Sequence, residues 1–169
     1  MNRSFLTITL LFLTFSTAFS QTRLGIDTPA PTFSGTGLDG STIDLAGLRG
    51  RVVVMTFWST RCAICHSELP KLDLMTAKFD PSKVVFLALS MENEEKISGF
   101  LRKNPFRFQI VPNSFGVVLQ YADRDRYGNL DMGFPSYFVI DQQGTIRHRA
   151  NGYDKTRGIE AVIGKLIAK

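Results

Sequence analysis

The sequence predicts one α/β domain, built on a largely parallel sheet that is covered on both faces and ends in an antiparallel hairpin. Three observations lead there. Strand-like and helical runs alternate along the chain, the order that crossover connections produce. Two of the strands, RVVVMTFW at 51–58 and KVVFLALS at 83–90, are apolar almost without a break, as strands buried on both faces are. The chain has 169 residues, 44% hydrophobic and 21% charged. That composition fits a single globular domain and excludes a disordered chain, a collagen-like repeat and a long coiled coil. A core of this size needs no disulfide staple, so the two cysteines point to chemistry.

Residues 1–20, MNRSFLTITLLFLTFSTAFS, carry one charge, Arg3, ahead of an apolar and hydroxyl-rich run. Ala18-Phe19-Ser20 precedes Gln21 with small residues at both key positions of a cleavage site. This is the form of a secretory signal peptide, and the run is too short and too rich in Thr and Ser for a membrane span. The expected organisation is a signal peptide at 1–20 and one domain at 21–169. The expected location is exported, periplasmic or otherwise extracytoplasmic, where disulfides form and persist.

The elements of the domain follow in order. Residues 24–34 are a Pro/Gly/Thr-rich entry segment. The turn Leu38-Asp39-Gly40 and a short strand at Ser41–Leu45 imply an N-terminal hairpin. Leu48-Arg49-Gly50 breaks the chain before the first buried strand. From Cys62 to Phe79 the pattern is helical, with Ile64, Leu69, Leu72, Met75 and Phe79 on one face and Pro70 expected to kink it. Asp80-Pro81 closes that unit ahead of the second buried strand. Asn93 is placed to cap a helix reaching Lys103, with Ile97, Phe100 and Leu101 inward. A strand at Phe108–Val111 and a helix from Asn113 or Ser114 to Ala122 come next. A strand at Ser136–Ile140, a Gln142-Gln143-Gly144 turn and a partner strand at Thr145–Ala150 form the last hairpin. Asp154 is placed to cap a final helix.

The net charge of +5 is spread along the chain. Arg102, Lys103 and Arg107, then Arg124 and Arg126, then Arg147 and Arg149 are separate groups, and Asp123 and Asp125 interrupt the middle one. A nucleic-acid reader concentrates such charge in a stripe with interleaved aromatics, so no nucleic-acid partner is expected.

The chemistry lies in Cys62-Ala63-Ile64-Cys65-His66, directly after a buried strand. A three-residue separation lets the two sulfurs bond within one turn. A helix N-terminus offers unpaired N–H groups and a positive dipole end, which favour the thiolate, the attacking form. Arg61 adds a nearby positive charge. The same five letters spell a c-type haem attachment sequence, with Met75, Met91, Met132 and His148 as candidate second axial ligands. Zinc needs four ligands, and only His66 and His148 could join the cysteines. An inert bridge is the fourth reading. The buried strand before the cysteines favours a redox dithiol, with no cofactor beyond the Cys62–Cys65 disulfide and no metal.

Phe57-Trp58-Ser59-Thr60-Arg61-Cys62-Ala63-Ile64-Cys65 resembles the active-site segment of the thioredoxin superfamily. Ala30-Pro31-Thr32-Phe33, Leu38-Asp39-Gly40 and Leu48-Arg49-Gly50-Arg51 are similar to the lead-in of exported TlpA/ResA-type thiol-disulfide oxidoreductases. So are Glu68-Leu69-Pro70 and the run from Gly133 to Asp141 with Gly144 and Ile146. The resemblance covers about residues 28–169. It implies an α/β thioredoxin fold, a central mixed β-sheet flanked by helices, with an N-terminal β-hairpin extension.

The resemblance also implies roles. Cys62 is the attacking thiol, Cys65 the resolving one, and Pro135 a cis-proline facing them, with the Phe134 backbone presented to a substrate segment. Trp58 and Phe134 are the expected substrate-side residues. Glu68, one turn after Cys65, would handle the proton of the dithiol; the plainer alternative is a surface glutamate paired with Lys71 at i+3. Thr56 stands where thioredoxins commonly place a buried carboxylate. The implied partners are a protein disulfide substrate, an apocytochrome c among them, and a membrane thiol transporter as electron donor. Arg61 in place of a tryptophan, and Ala63-Ile64 without a proline, depart from the usual pattern. A thiol peroxidase normally has proline and threonine before its reactive cysteine, where this chain has Met55 and Ser59.

Overall fold

Seven consecutive apolar or β-branched side chains make Val52–Trp58 the strand most suited to burial on both faces, and it occupies the middle of the main sheet, every residue buried. The computed structural model describes residues 24–168, so the expected signal peptide lies outside the described residues. In chain order the elements are β1 (Ser34–Thr36), β2 (Thr42–Asp44), a 3₁₀ turn (Ala46–Leu48), β3 (Val52–Trp58), α1 (Ala63–Thr76), β4 (Val84–Ser90), α2 (Glu94–Leu101), β5 (Gln109–Val111), α3 (Phe115–Tyr121), β6 (Asp123–Arg124), β7 (Leu130–Asp131), β8 (Ser136–Ile140), β9 (Ile146–Asn151) and α4 (Arg157–Ile167).

The main sheet has the order β5-β4-β3-β8-β9. β3, β4 and β5 run parallel, while β8 pairs antiparallel with both β3 and β9, so the sheet is mixed as expected. β1 and β2 form the N-terminal hairpin, closed by Gly40 at φ +81°, a conformation glycine adopts without a Cβ clash. Alternation along β3 divides the core. Val53, Met55 and Phe57 pack with Phe33, Ile43, Val118 and Tyr121 on one face. Val52, Val54 and Trp58 pack with Leu69 and Leu72 of α1, Ile97 of α2 and Ile159 and Ile163 of α4 on the other.

Four details differ from the sequence expectation. α1, with Pro70 inside it, ends at Thr76, three residues before Phe79. Asn93 caps α2 through its side chain, but that helix ends at Leu101. α4 begins after Thr156; Asp154 sits at φ +56° and pairs with Arg157 at 2.9 Å, so it precedes the helix and does not cap it. A small hairpin, β6–β7, was not foreseen. It turns on Asp125, whose carboxylate accepts the Tyr127 and Asn129 amides at 2.8 and 2.9 Å.

Candidate active site

β3 delivers the chain to a short loop, Ser59–Arg61, which Glu92 holds from the end of β4. Glu92 Oε2 accepts the Thr60 amide at 2.6 Å and Oε1 accepts the Thr60 hydroxyl at 2.9 Å. Lys96 Nζ lies 2.7 Å from the same carboxylate. Burial pushes the Glu92 pKa up, but the bonds from Lys96 and Thr60 outweigh it and leave the group below its ordinary value. Nothing local in the sequence joins Thr60 to Glu92, thirty-two residues on, and the sequence reading missed this contact.

Cys62 follows as the N-cap of α1. Its amide donates to the Ser59 carbonyl at 3.1 Å, and its sulfur accepts the Cys65 amide at 3.1 Å. The two cysteines are joined as a disulfide, their Cα atoms 5.2 Å apart. Cys62 is partly exposed and Cys65 fully buried. The two cysteines therefore differ in exposure, an asymmetry that suits an attacking and a resolving thiol.

The Phe134–Pro135 peptide bond is cis. Ser136 pairs with Phe57 in the β8–β3 register, which carries Pro135 to the end of β3 from which Cys62 follows. The Ser136 hydroxyl donates to the Gly133 carbonyl at 2.6 Å and fastens this turn. Beside Cys62 is an open groove of about 500 Å³, lined by Ser59, Arg61, Ser90, Met91, Glu92 and Phe134. Ile64 and Met91 are both 41% exposed, which gives the surroundings of Cys62 an apolar surface. Trp58 also lines this groove. It is fully buried, its ring 5.5 Å from Phe100 and 6.1 Å from Phe106, and it forms a wall of the site.

Glu68 is fully buried, which overturns the surface alternative. It lies on the same face of α1 as Cys65, three residues on. Its Oε1 accepts Lys71 Nζ at 2.6 Å, and its Oε2 accepts the Thr156 hydroxyl at 3.3 Å. Thr156 holds the N-cap position of α4, yet its side chain makes no cap bond there. Burial, then the Glu68 charge, push the Tyr137 phenol well above its ordinary pKa. Thr56 is buried directly across from Tyr137 in the β3–β8 register. Thr56 Oγ1, Tyr137 OH and Trp58 Nε1 make no hydrogen bond within the described protein. Glu68 is thus the carboxylate of a buried polar layer with Thr156 and Tyr137, one α1 turn from Cys65. Tyr137 and Thr156 gave no sequence signal for it.

His66 is exposed on the first turn of α1, its Nε2 2.8 Å from the Thr60 carbonyl and its ring 5.0 Å from Phe100. His148 lies on β9, where burial lowers its pKa. Among the described residues no three His, Cys, Asp or Glu side chains converge as metal ligands.

The chain is similar to known proteins. The chain is 25% identical over 147 residues to the thiol-disulfide oxidoreductase ResA of Bacillus thuringiensis subsp. konkukian, covering 86% of this chain and 81% of that protein. Its fold is that of a thiol:disulfide interchange protein of the thioredoxin family from Chlorobium tepidum, with a TM-score of 0.71 at 21% identity over 85% of this chain and 98% of that one. It is also similar to a secreted Mycobacterium tuberculosis disulfide oxidoreductase, with a TM-score of 0.62 at 22% identity over 79% and 96% of the two chains. The thioredoxin fold and the bridged Cys62–Cys65 pair make this chain a thiol-disulfide oxidoreductase, and with residues 26–149 matching the AhpC/TSA family profile it belongs to the AhpC/TSA family.

Proposed function

We propose that the protein is an exported reductase of disulfides in extracytoplasmic proteins. The observation that carries the reading is the pairing of a partly exposed Cys62 at a helix N-terminus with a buried Cys65, next to the cis Phe134–Pro135 bond and the groove. In the reduced protein the Cys62 thiolate is favoured by the Cys65 amide and the α1 dipole. It attacks one sulfur of a substrate disulfide, and the other sulfur leaves as a thiolate. Cys65 then loses its proton at a pH that the nearby Glu68 charge sets, attacks Cys62 and releases the second substrate thiol. Two electrons have passed to the substrate, and Cys62–Cys65 is closed again. Phe134 presents its backbone to the bound segment.

Supporting export are the form of residues 1–20 and the similarity to a secreted oxidoreductase. A membrane thiol transporter is the donor that recharges the dithiol. An apocytochrome c is one substrate that suits the ResA likeness.

The test is the reduction potential, read by equilibrating the protein with glutathione buffers and counting free thiols. A reductase gives a value near that of thioredoxin, about −270 mV; a value near about −120 mV, that of a strong oxidant, overturns the direction.

The family match favours one second reading, a thiol peroxidase. It predicts that hydrogen peroxide oxidises the reduced dithiol faster than a protein disulfide does. Met55, fully buried in β3, and Ser59 occupy the positions where that chemistry normally uses proline and threonine. The reductase reading predicts the reverse order of rates.

A further inference from the structure

Glu68 is fully buried, but the cation that neutralises it is not. Lys71 has 45% of its side chain exposed and reaches inward to place Nζ 2.6 Å from Glu68 Oε1. On the outer side the same Nζ lies 5.0 Å over the ring of Tyr153, which is 63% exposed. The ammonium is therefore held between a buried carboxylate and a surface aromatic, at the boundary between the polar layer and solvent.

The groups facing this pair are few. From α1 there are Cys65 and Lys71 itself. From β8 there is the Tyr137 phenol, which feels the Glu68 charge. The start of α4 contributes Thr156, and the loop before it contributes Tyr153 and Asp154, the latter paired with Arg157. Lys71 is the sole full positive charge bonded to Glu68 among the described residues. A buried carboxylate without a counter-charge is strongly disfavoured, so Lys71 governs what Glu68 does to its neighbours.

We propose that Lys71, steadied by Tyr153, is a positioning residue that supplies the counter-charge of Glu68 and so sets the pH range over which Cys65 reacts. This rests on Glu68 acting on the Cys65 proton. With Lys71 present, the thiolate of Cys65 forms beside a neutralised ion pair. Without it, Cys65 and Glu68 compete to hold one negative charge, and like charges oppose the second ionisation.

The test uses the full chain carrying Cys62→Ser, which leaves Cys65 as the only thiol, and follows the rate of Cys65 alkylation against pH. Lys71→Met is expected to raise the midpoint by about one unit or more, and Glu68→Gln to lower it. Lys71→Met in the Glu68→Gln background is expected to leave the Glu68→Gln midpoint in place. A purely structural lysine would change unfolding without moving these midpoints. An unmoved Lys71→Met midpoint beside a shifted Glu68→Gln one overturns the role of Lys71 and leaves that of Glu68 intact. Equal Lys71→Met shifts in both backgrounds also overturn it, since Lys71 would then act without Glu68. No shift in either single variant removes Glu68 from the mechanism, and Lys71 with it.

Discussion

Glu92 shows how one side chain can hold a reactive loop from a distance. Its carboxylate takes the Thr60 amide and hydroxyl and the Lys96 ammonium, two residues before Cys62. Charge-assisted bonds of this kind contribute more than neutral ones. Glu92→Ala is expected to cost about 2–3 kcal/mol in urea unfolding and to slow thiol exchange at Cys62. A loss under about 0.5 kcal/mol would mean that the clamp is not formed. Because the folded pKa of Glu92 lies below its unfolded value, its stabilising contribution is present above the unfolded value. That contribution is lost as pH falls through the folded one, so the Glu92→Ala penalty shrinks in acid. At this scale the sequence was legible where chemistry is local. Cys62, Cys65 and the Glu68–Lys71 spacing are all within one helix. The Thr60–Glu92 and Glu68–Thr156 contacts are tertiary, between residues 32 and 88 apart, and no spacing rule reaches them.

α1 is the element that unites the site, since it carries the N-cap cysteine, its partner and the buried carboxylate. Its inward face continues through Leu69, Leu72 and Met75 into the core shared with α4. Leu72 is 1% exposed, so Leu72→Ala is expected to destabilise the fold by about 2–5 kcal/mol. The same variant is expected to leave the pH midpoint of Cys65 alkylation unchanged, because it removes packing and no charge. A cost below about 1 kcal/mol in chemical unfolding would contradict the burial of this face. The periodicity of α1 and the continuous apolar runs of β3 and β4 made these elements readable, because burial dictates the pattern. The β6–β7 hairpin has no buried face, and all but Asp123 of its four strand residues are exposed. Its turn rests on one aspartate, so it left no hydrophobic signal. The start of α4 shifted for a related reason: Asp154 takes a left-handed conformation, and Thr156 directs its hydroxyl to Glu68.

Over the whole molecule, the strand ends that meet at the site are tied down from the far side as well. Arg147 on β9 bonds both Asp141 and Asp27, and Pro29 bridges to Thr145, which pins the entry segment to the last hairpin. Arg149 pairs with Asp123 at 2.7 Å and holds the β6–β7 hairpin against β9. The groove beside Cys62 is left open by this framework. Cys62 and Cys65 form a reversible dithiol if the oxidoreductase chemistry runs through them. The most direct measurement is the intact mass of the purified protein after thiol alkylation, with and without prior reduction. The account predicts that two labels are gained only after reduction, both mapped to Cys62 and Cys65. A mass raised by one haem, with neither cysteine able to take a label, would contradict it.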